Sequence, residues 1–329
     1  MISRARRRTA PVLVPALFLI AVVSTALMAA GSADTGEFPS RAISYVIPFD
    51  PGGQSDVTAQ YQKPYLEELL GVNVVVRHQP GAGGALGWSN LVNARPDGYT
   101  IMGNNVPHII IQPLVREDVG YRTEQLKPVY MFQTTPIGIA VAANSQFDTL
   151  NDLVEYARRN PGRLTVSGSG THSGHHLALL QLQQLTQSEF TYIPATGAAP
   201  SLSNFLGGHS EVLMANSDDL VAHQREMKIL AMGTTERFHL LPNVPTFIEQ
   251  GVGMTAGIDR GVAVPPDTPD EVVARLEAAF HAVSSDPEFR ADMDALGFVT
   301  HTMGAAEYAA YLRRKTQEIE DALRELGEL

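Results

Sequence analysis

Apolar and polar positions along the chain repeat one rhythm: a short β-rich run, a loop punctuated by glycine or proline, then a longer stretch with helical spacing. The runs AISYVIPF (42–49), VNVVVRH (72–78) and GYTIMGN (98–104) begin it. A second set follows with IGIAVAAN (137–144), the helical TLNDLVEYARRN (149–160), RLTVSGSG (163–170), the helical HLALLQLQQLT (176–186) and FTYIPATG (190–197). EVLMAN, MKILAMGT and three helical segments from Pro269 onward complete the pattern. Short β-branched runs alternating with 3.6-period stretches predict parallel strands joined by helical crossovers, an α/β fold. Two units of about 100 to 150 residues would match the usual domain size. Pro64 falls inside the first helical stretch and predicts a kink or a restart there.

Composition narrows the class. With 329 residues, 44% hydrophobic and 18% charged, the chain can bury one large core or two smaller ones. Arg4, Arg6, Arg7 and Arg8 precede a mostly apolar run (12–28) and small residues (29–33), which reads as a signal peptide over residues 1–33, cut near Ala33. An uncleaved anchor is the alternative, because the run approaches spanning length, although Pro11 and Pro15 interrupt it. Either way the body is expected to be periplasmic or otherwise extracytoplasmic. The absence of cysteine excludes disulfides, a thiolate nucleophile and a cysteine-linked lipid anchor. Removing four arginines takes the formal charge from −11 to −15, which makes nucleic acid a poor partner.

Candidate chemistry sits at strand ends. In VIPFDPGGQSDVT (46–58), Gly52 and Gly53 let a backbone approach something closely, and Ser55 or Asp56 is placed to cap the helix that follows. A helix N-terminus offers unpaired N–H groups and a partial positive charge, hence an anion site. One such stretch is equally an ordinary turn between strand and helix. The arrangement recurs, however, in QPGAGGALG (79–87) and SGSGTHSGHHL (167–177), and several such loops predict convergence on a cleft.

From about Phe38 onward the chain resembles the periplasmic solute-binding proteins of tripartite tricarboxylate transporters, the Bug or TctC family. The resemblance rests on seven motifs in order: FPSRAISYVIPFDPGGQSD, LGVNVVVRHQPGAGGALG, ARPDGYTIMG, TLNDLVEYARRNPGRLTVSGSG, TGAAPSLSNFLGGHSEVL, LPNVPTFIEQG and VAVPPDTPDEVVARL. It implies a two-domain α/β fold of the periplasmic-binding-protein type (type II), each domain a mainly parallel sheet flanked by helices, with a ligand cleft between. Domain 1 would comprise residues 34–136 and 256–329, domain 2 residues 137–255, with a hinge near 134–138 and 254–260. The implied protein is a monomer, not an enzyme, and needs no cofactor or metal. It would close on a small organic carboxylate and deliver it to integral-membrane transporter subunits, or alternatively present it to a sensor kinase. Matched position by position, the ligand residues would be Gly52, Gly53, Gln54, Ser55 and Asp56, then Ala82, Gly83 and Gly84, and Asn104. The other domain would add Ser169, Thr171, His172 and Ser173, then Thr196, Gly197, Ala198, Ala199 and Pro200, with Arg260 near the hinge. Backbone N–H groups and hydroxyls can hold a carboxylate even in an acidic protein.

Three departures bear on the ligand. His172 stands where the family often has glycine, Asp259 and Arg260 where an aromatic is common, and NNVPH (104–108) where small polar residues are usual. Other classes fit less well. Gly168, Gly170 and Gly174 follow a strand and precede a helix as in a dinucleotide site, yet the next strand ends without an acid for a ribose. His172, His175 and His176 share a helix face as metal ligands would, but no HExxH pattern is present. GTHSG places its serine one position late for a hydrolase elbow, and a Walker A loop is absent.

Overall fold

The computed structural model describes residues 37–329, so the expected signal (1–33) lies outside the described residues. In chain order the elements are β1 (Ile43–Ile47), α1 (Gln54–Leu70), β2 (Val74–His78), α2 (Ala85–Val92), β3 (Thr100–Val106), α3 (His108–Val115), β4 (Lys127–Ala142), α4 (Leu150–Arg159) and β5 (Thr165–Ser169). Then come α5 (Gly174–Thr186), β6 (Thr191–Ala195), α6 (Ala198–Leu206), β7 (Val212–Asn216), α7 (Ser217–Ala222), β8 (Met227–Met232) and β9 (Gly257–Val264). The chain ends with α8 (Asp270–Ser285), α9 (Pro287–Ala295), β10 (Val299–Gly304) and α10 (Ala305–Glu325).

Two parallel blocks, β2-β1-β3 and β6-β5-β7, are those the strand-loop-helix rhythm predicts. Crossing strands make the sheet mixed. β9 runs antiparallel between β3 and β4, β10 pairs antiparallel with β4, and β4 pairs antiparallel with β7 and β8. β4 changes sheets between Pro136, opposite Gly257 of β9, and Ile137, opposite Asn216 of β7. A proline suits that changeover because it has no N–H to place in a ladder. Apolar side chains collect accordingly. One core draws on residues 43–132 and 262–323, and two adjoining clusters on residues 137–258, giving two lobes connected through β4 and β9.

Helix α1 departs from the sequence expectation, running unbroken through Pro64. Proline removes the hydrogen bond to the carbonyl four residues back, at Gln60. Gln60 and Pro64 both lie on the exposed face of α1, so water can serve that carbonyl and the helix need not restart.

Candidate functional site

Both parallel blocks aim their strand-end loops at the junction of the lobes, the usual position for a ligand in open α/β sheets. β1 runs into loop 50–53 and α1, β2 into loop 79–84 and α2, β5 into loop 170–173 and α5, and β6 into loop 196–197 and α6. The loops approach closely. A methyl group at Gly170 would stand 3.2 Å from Gly83 Cα, one at Gly53 3.9 Å from the Ala199 nitrogen, and one at Gly197 3.7 Å from Phe49 Cβ. Gln112 of α3 ties the lobes directly, its Nε2 donating to the carbonyls of Thr171 (3.0 Å) and His172 (3.4 Å).

In the first loop the expected cap is corrected. Gly53 occupies the N-cap position and no side chain caps α1, because the helix begins at Gln54 and places Ser55 and Asp56 inside its first turn. Asp56 instead holds the loop: its Oδ2 accepts from the N–H of Gly52 (2.9 Å), which sits at φ 82°. Its Oδ1 accepts from Gln60 Nε2 (3.1 Å) and pairs with His78 Nε2 (2.9 Å). Burial would push the Asp56 carboxyl up, but the Gly52 N–H, Gln60 and His78 outweigh it and hold the group below its ordinary value.

Where the lobes meet lies a polar cavity of about 20 Å³, room for one or two waters. The first lobe lines it with Phe49, Asp50, Gly53, Gln54, Ser55, Asp56, Asn105 and His108, the second with Ser169, Ala198 and Asn216, and β9 with Ile258 and Arg260. Arg260 is buried. Its Nε donates to Gln54 Oε1 (2.6 Å) and Thr135 Oγ1 (3.3 Å), and its Nη1 to Ser55 Oγ (2.9 Å). Asn105, with its amide oxygen turned to the guanidinium, also accepts from Nη1. Burial lowers Arg260 to about 10, opposed by Asp218, Asp219 and Asp259, so it stays charged near neutrality.

His175, read from the sequence as a possible metal ligand, has both ring nitrogens engaged. Nδ1 accepts from the Ser169 N–H (3.0 Å), so Nε2 carries the proton and donates to Asn216 Oδ1 (3.0 Å). Burial lowers it to about 4 and keeps it neutral. It thereby orients two residues that line the cavity. Among the described residues no group of three or more His, Cys, Asp or Glu side chains is arranged to hold a metal. His108 is likewise pushed well down, by burial first and then by the charges of Arg260 and His175. Its Nδ1 and Gln54 Nε2 are buried without a hydrogen-bond partner among the described residues.

The remaining sequence candidates fall around this centre. Asn104 is buried, but successive strand residues face opposite ways, so Asn105 lines the cavity in its place. Ala82, Gly83 and Gly84 form a tight turn with three consecutive positive φ angles, against loop 170–173. Thr171 and His172 contribute carbonyls to the tie with Gln112, and Ser173 caps α5, its Oγ accepting from the His176 N–H (3.2 Å). Thr196 is exposed, and Ala199 and Pro200 follow Ala198 in the first turn of α6. The glycines that suggested a nucleotide loop have packing reasons: a methyl at Gly168 would strike the Tyr192 hydroxyl at 2.4 Å, and one at Gly174 would strike Ile258 at 2.7 Å. Asn216, Gln112 and the orienting role of His175 escaped the sequence reading. Asn216 ends a recognisable strand, so the logic applied to the other strand ends would have reached it.

Comparison with known proteins matches residues 58–327 to the family described as "Tripartite tricarboxylate transporter family receptor". A relative from Pseudomonas sp. strain P51, described as a UPF0065 protein in the tcbD-tcbE intergenic region, is 31% identical over 290 residues, covering 85% of this chain and 84% of the relative. The periplasmic binding protein BugD superposes with a TM-score of 0.83 at 25% identity, over 88% of this chain and 99% of BugD. R. palustris Rpa4515, solved with adipate, gives a TM-score of 0.84 at 25% identity, again over 88% and 99% of the two chains.

Proposed function

The chain belongs to the tripartite tricarboxylate transporter receptor family, a family of periplasmic binding proteins rather than enzymes, and from that premise we propose that it captures a small carboxylate between its lobes and hands it to a membrane transporter. One observation carries the reading: four strand-end loops, two from each lobe, meet at the junction of the lobes, beside a polar cavity lined by the starts of α1 and α6 and the ends of β5 and β7. α1 and α6 both begin there, at Gln54 and Ala198, and the first N–H groups of a helix have no partner within it. Such N–H groups, with the helix dipole behind them, suit a carboxylate oxygen. The adipate held by Rpa4515 is a ligand of this chemistry.

Capture proceeds by movement of the lobes about residues 134–138 and 254–260, where β4 changes sheets and the chain returns into β9. An open form admits the carboxylate. Contacts made only on closing supply the differential affinity that draws the lobes together, and the closed form is what the transporter recognises. A ligand that binds only the folded state raises the melting temperature by mass action. A thermal-shift screen of aliphatic mono- and dicarboxylates, with neutral amides of the same length as controls, should therefore give stabilisation by acids alone. Equal stabilisation by the amides, or none by any acid, would refute the proposal.

A further inference from the structure

We infer that Arg260 receives a second anionic group of the ligand, which makes the site selective for short dicarboxylates over monocarboxylates of equal length; this rests on reading the cleft as a carboxylate site. Burying a guanidinium costs several kcal/mol unless an opposite charge compensates it. Arg260 is 4% exposed, yet its hydrogen-bond acceptors are all neutral: Gln54, Thr135, Ser55 and Asn105. Among the described residues no carboxylate oxygen pairs with it within 4.0 Å. The three acids that bear on it electrostatically are engaged or weakened. Asp259 accepts a hydrogen bond from the Tyr311 hydroxyl. Burial pushes Asp218 up to about 6 and Asp219 well above its ordinary value, and neither carboxylate comes within ion-pairing distance of the guanidinium.

Within the cavity lining, Arg260 is the sole positive side chain, since His108 is neutral. Asp56 is turned to Gly52, Gln60 and His78. Gln54 Nε2 and His108 Nδ1, beside the guanidinium and without partners, are spare polar capacity at the same place. The site thus has two unlike ends. Loop N–H groups at the starts of α1 and α6 receive one carboxylate through neutral donors, whereas the guanidinium offers a charged planar fork to another. A monocarboxylate seated on the loops would press its uncharged end against a desolvated guanidinium, and the half-amide of a diacid, which keeps one carboxylate and ends in a neutral amide, would do no better. Loss of that charge-assisted pairing is what discriminates.

The test is calorimetry of the purified protein near neutral pH with succinate, glutarate and adipate, each paired with its half-amide, and with butyrate as a simple monocarboxylate. At least one diacid should bind about tenfold or more tightly than its half-amide. Arg260→Gln should collapse that ratio toward unity, and Arg260→Lys should retain part of it, with unliganded melting curves reporting whether each variant folds. Equal affinity for diacid and half-amide in the unaltered protein overturns the inference, as does a preference that survives in Arg260→Gln. If Arg260→Gln does not fold, the diacid-to-half-amide ratio of the unaltered protein and of Arg260→Lys decides. Binding of butyrate but of no diacid overturns the inference and leaves the carboxylate reading standing; binding of neither acid class overturns both.

Discussion

Gly53 is the residue at which the proposed cleft is most open to attack by mutation. Its φ of −80° is one any residue adopts, so a side chain costs the backbone little. Space is what is lacking. An added Cβ would already contact the Ala199 nitrogen at 3.9 Å and Ala198 Cβ at 4.0 Å, and the three further carbons of leucine would lodge between the lobes. Gly53→Leu should therefore abolish carboxylate binding in calorimetry while leaving the unliganded melting temperature within a few degrees; normal binding would place the pocket elsewhere. The glycine loops were legible in the sequence because Gly52, Gly83 and Gly84, at positive φ, need glycine whatever surrounds them. The choice of Asn105 over Asn104 was not, since it depends on which face of β3 meets the cavity. The task of His175 was hidden too, because Asn216, which accepts its hydrogen bond, lies 41 residues away.

Among the elements, α5 carries the clearest pH signature, for it begins with two histidines held neutral. Burial pulls both His175 and His176 from 6.5 to about 4. The unfolded chain takes up these protons near pH 6.5 and the folded chain does so only near pH 4, so their stabilisation is complete above 6.5 and is lost as pH falls through that window. Each such group contributes a slope of about 1.4 kcal/mol per pH unit within it. Urea unfolding at a series of pH values from neutral down should follow this fall, and His176→Gln should flatten it by roughly one proton. An unchanged slope in that variant would mean that His176 is already accessible to protons in the native state. The helix itself was readable, as was α4, whose Thr149 and Asp152 form a reciprocal capping box. The first half of β4 was not. KPVYMFQTTP reads as broken by two prolines and a polar run, because a strand that crosses between lobes is buried by the neighbours it joins rather than by alternation of its own residues. β10 escaped for a related reason: VTHTMG has only two apolar positions and pairs at the sheet edge with β4.

At the scale of the molecule the question is what holds the lobes at their present spacing. A cavity of about 20 Å³ cannot contain even a four-carbon diacid, so the lobes must part to admit one and need not return fully to this separation. Among the contacts that resist parting at the cleft are the approach of Gly170 to Gly83 and the hydrogen bonds from Gln112 to the carbonyls of Thr171 and His172. Neither tie was visible in the sequence, for the carbonyls lie 59 and 60 residues beyond Gln112 and belong to the main chain. Gln112→Ala removes the donor and leaves two carbonyls free to find water once the lobes open, a loss of about 1 kcal/mol from the closed form alone. If closure is what retains the ligand, that loss appears chiefly as faster release, roughly fivefold, with association little changed. Stopped-flow release should show it, and small-angle scattering of the unliganded variant should give a larger radius of gyration that saturating ligand restores. Slower association with an unaltered release rate would locate the action of Gln112 in forming loop 170–173 instead. The distinction matters because only an interlobe tie couples occupancy to the shape a transporter could read, by biasing an equilibrium that the ligand biases in the same direction.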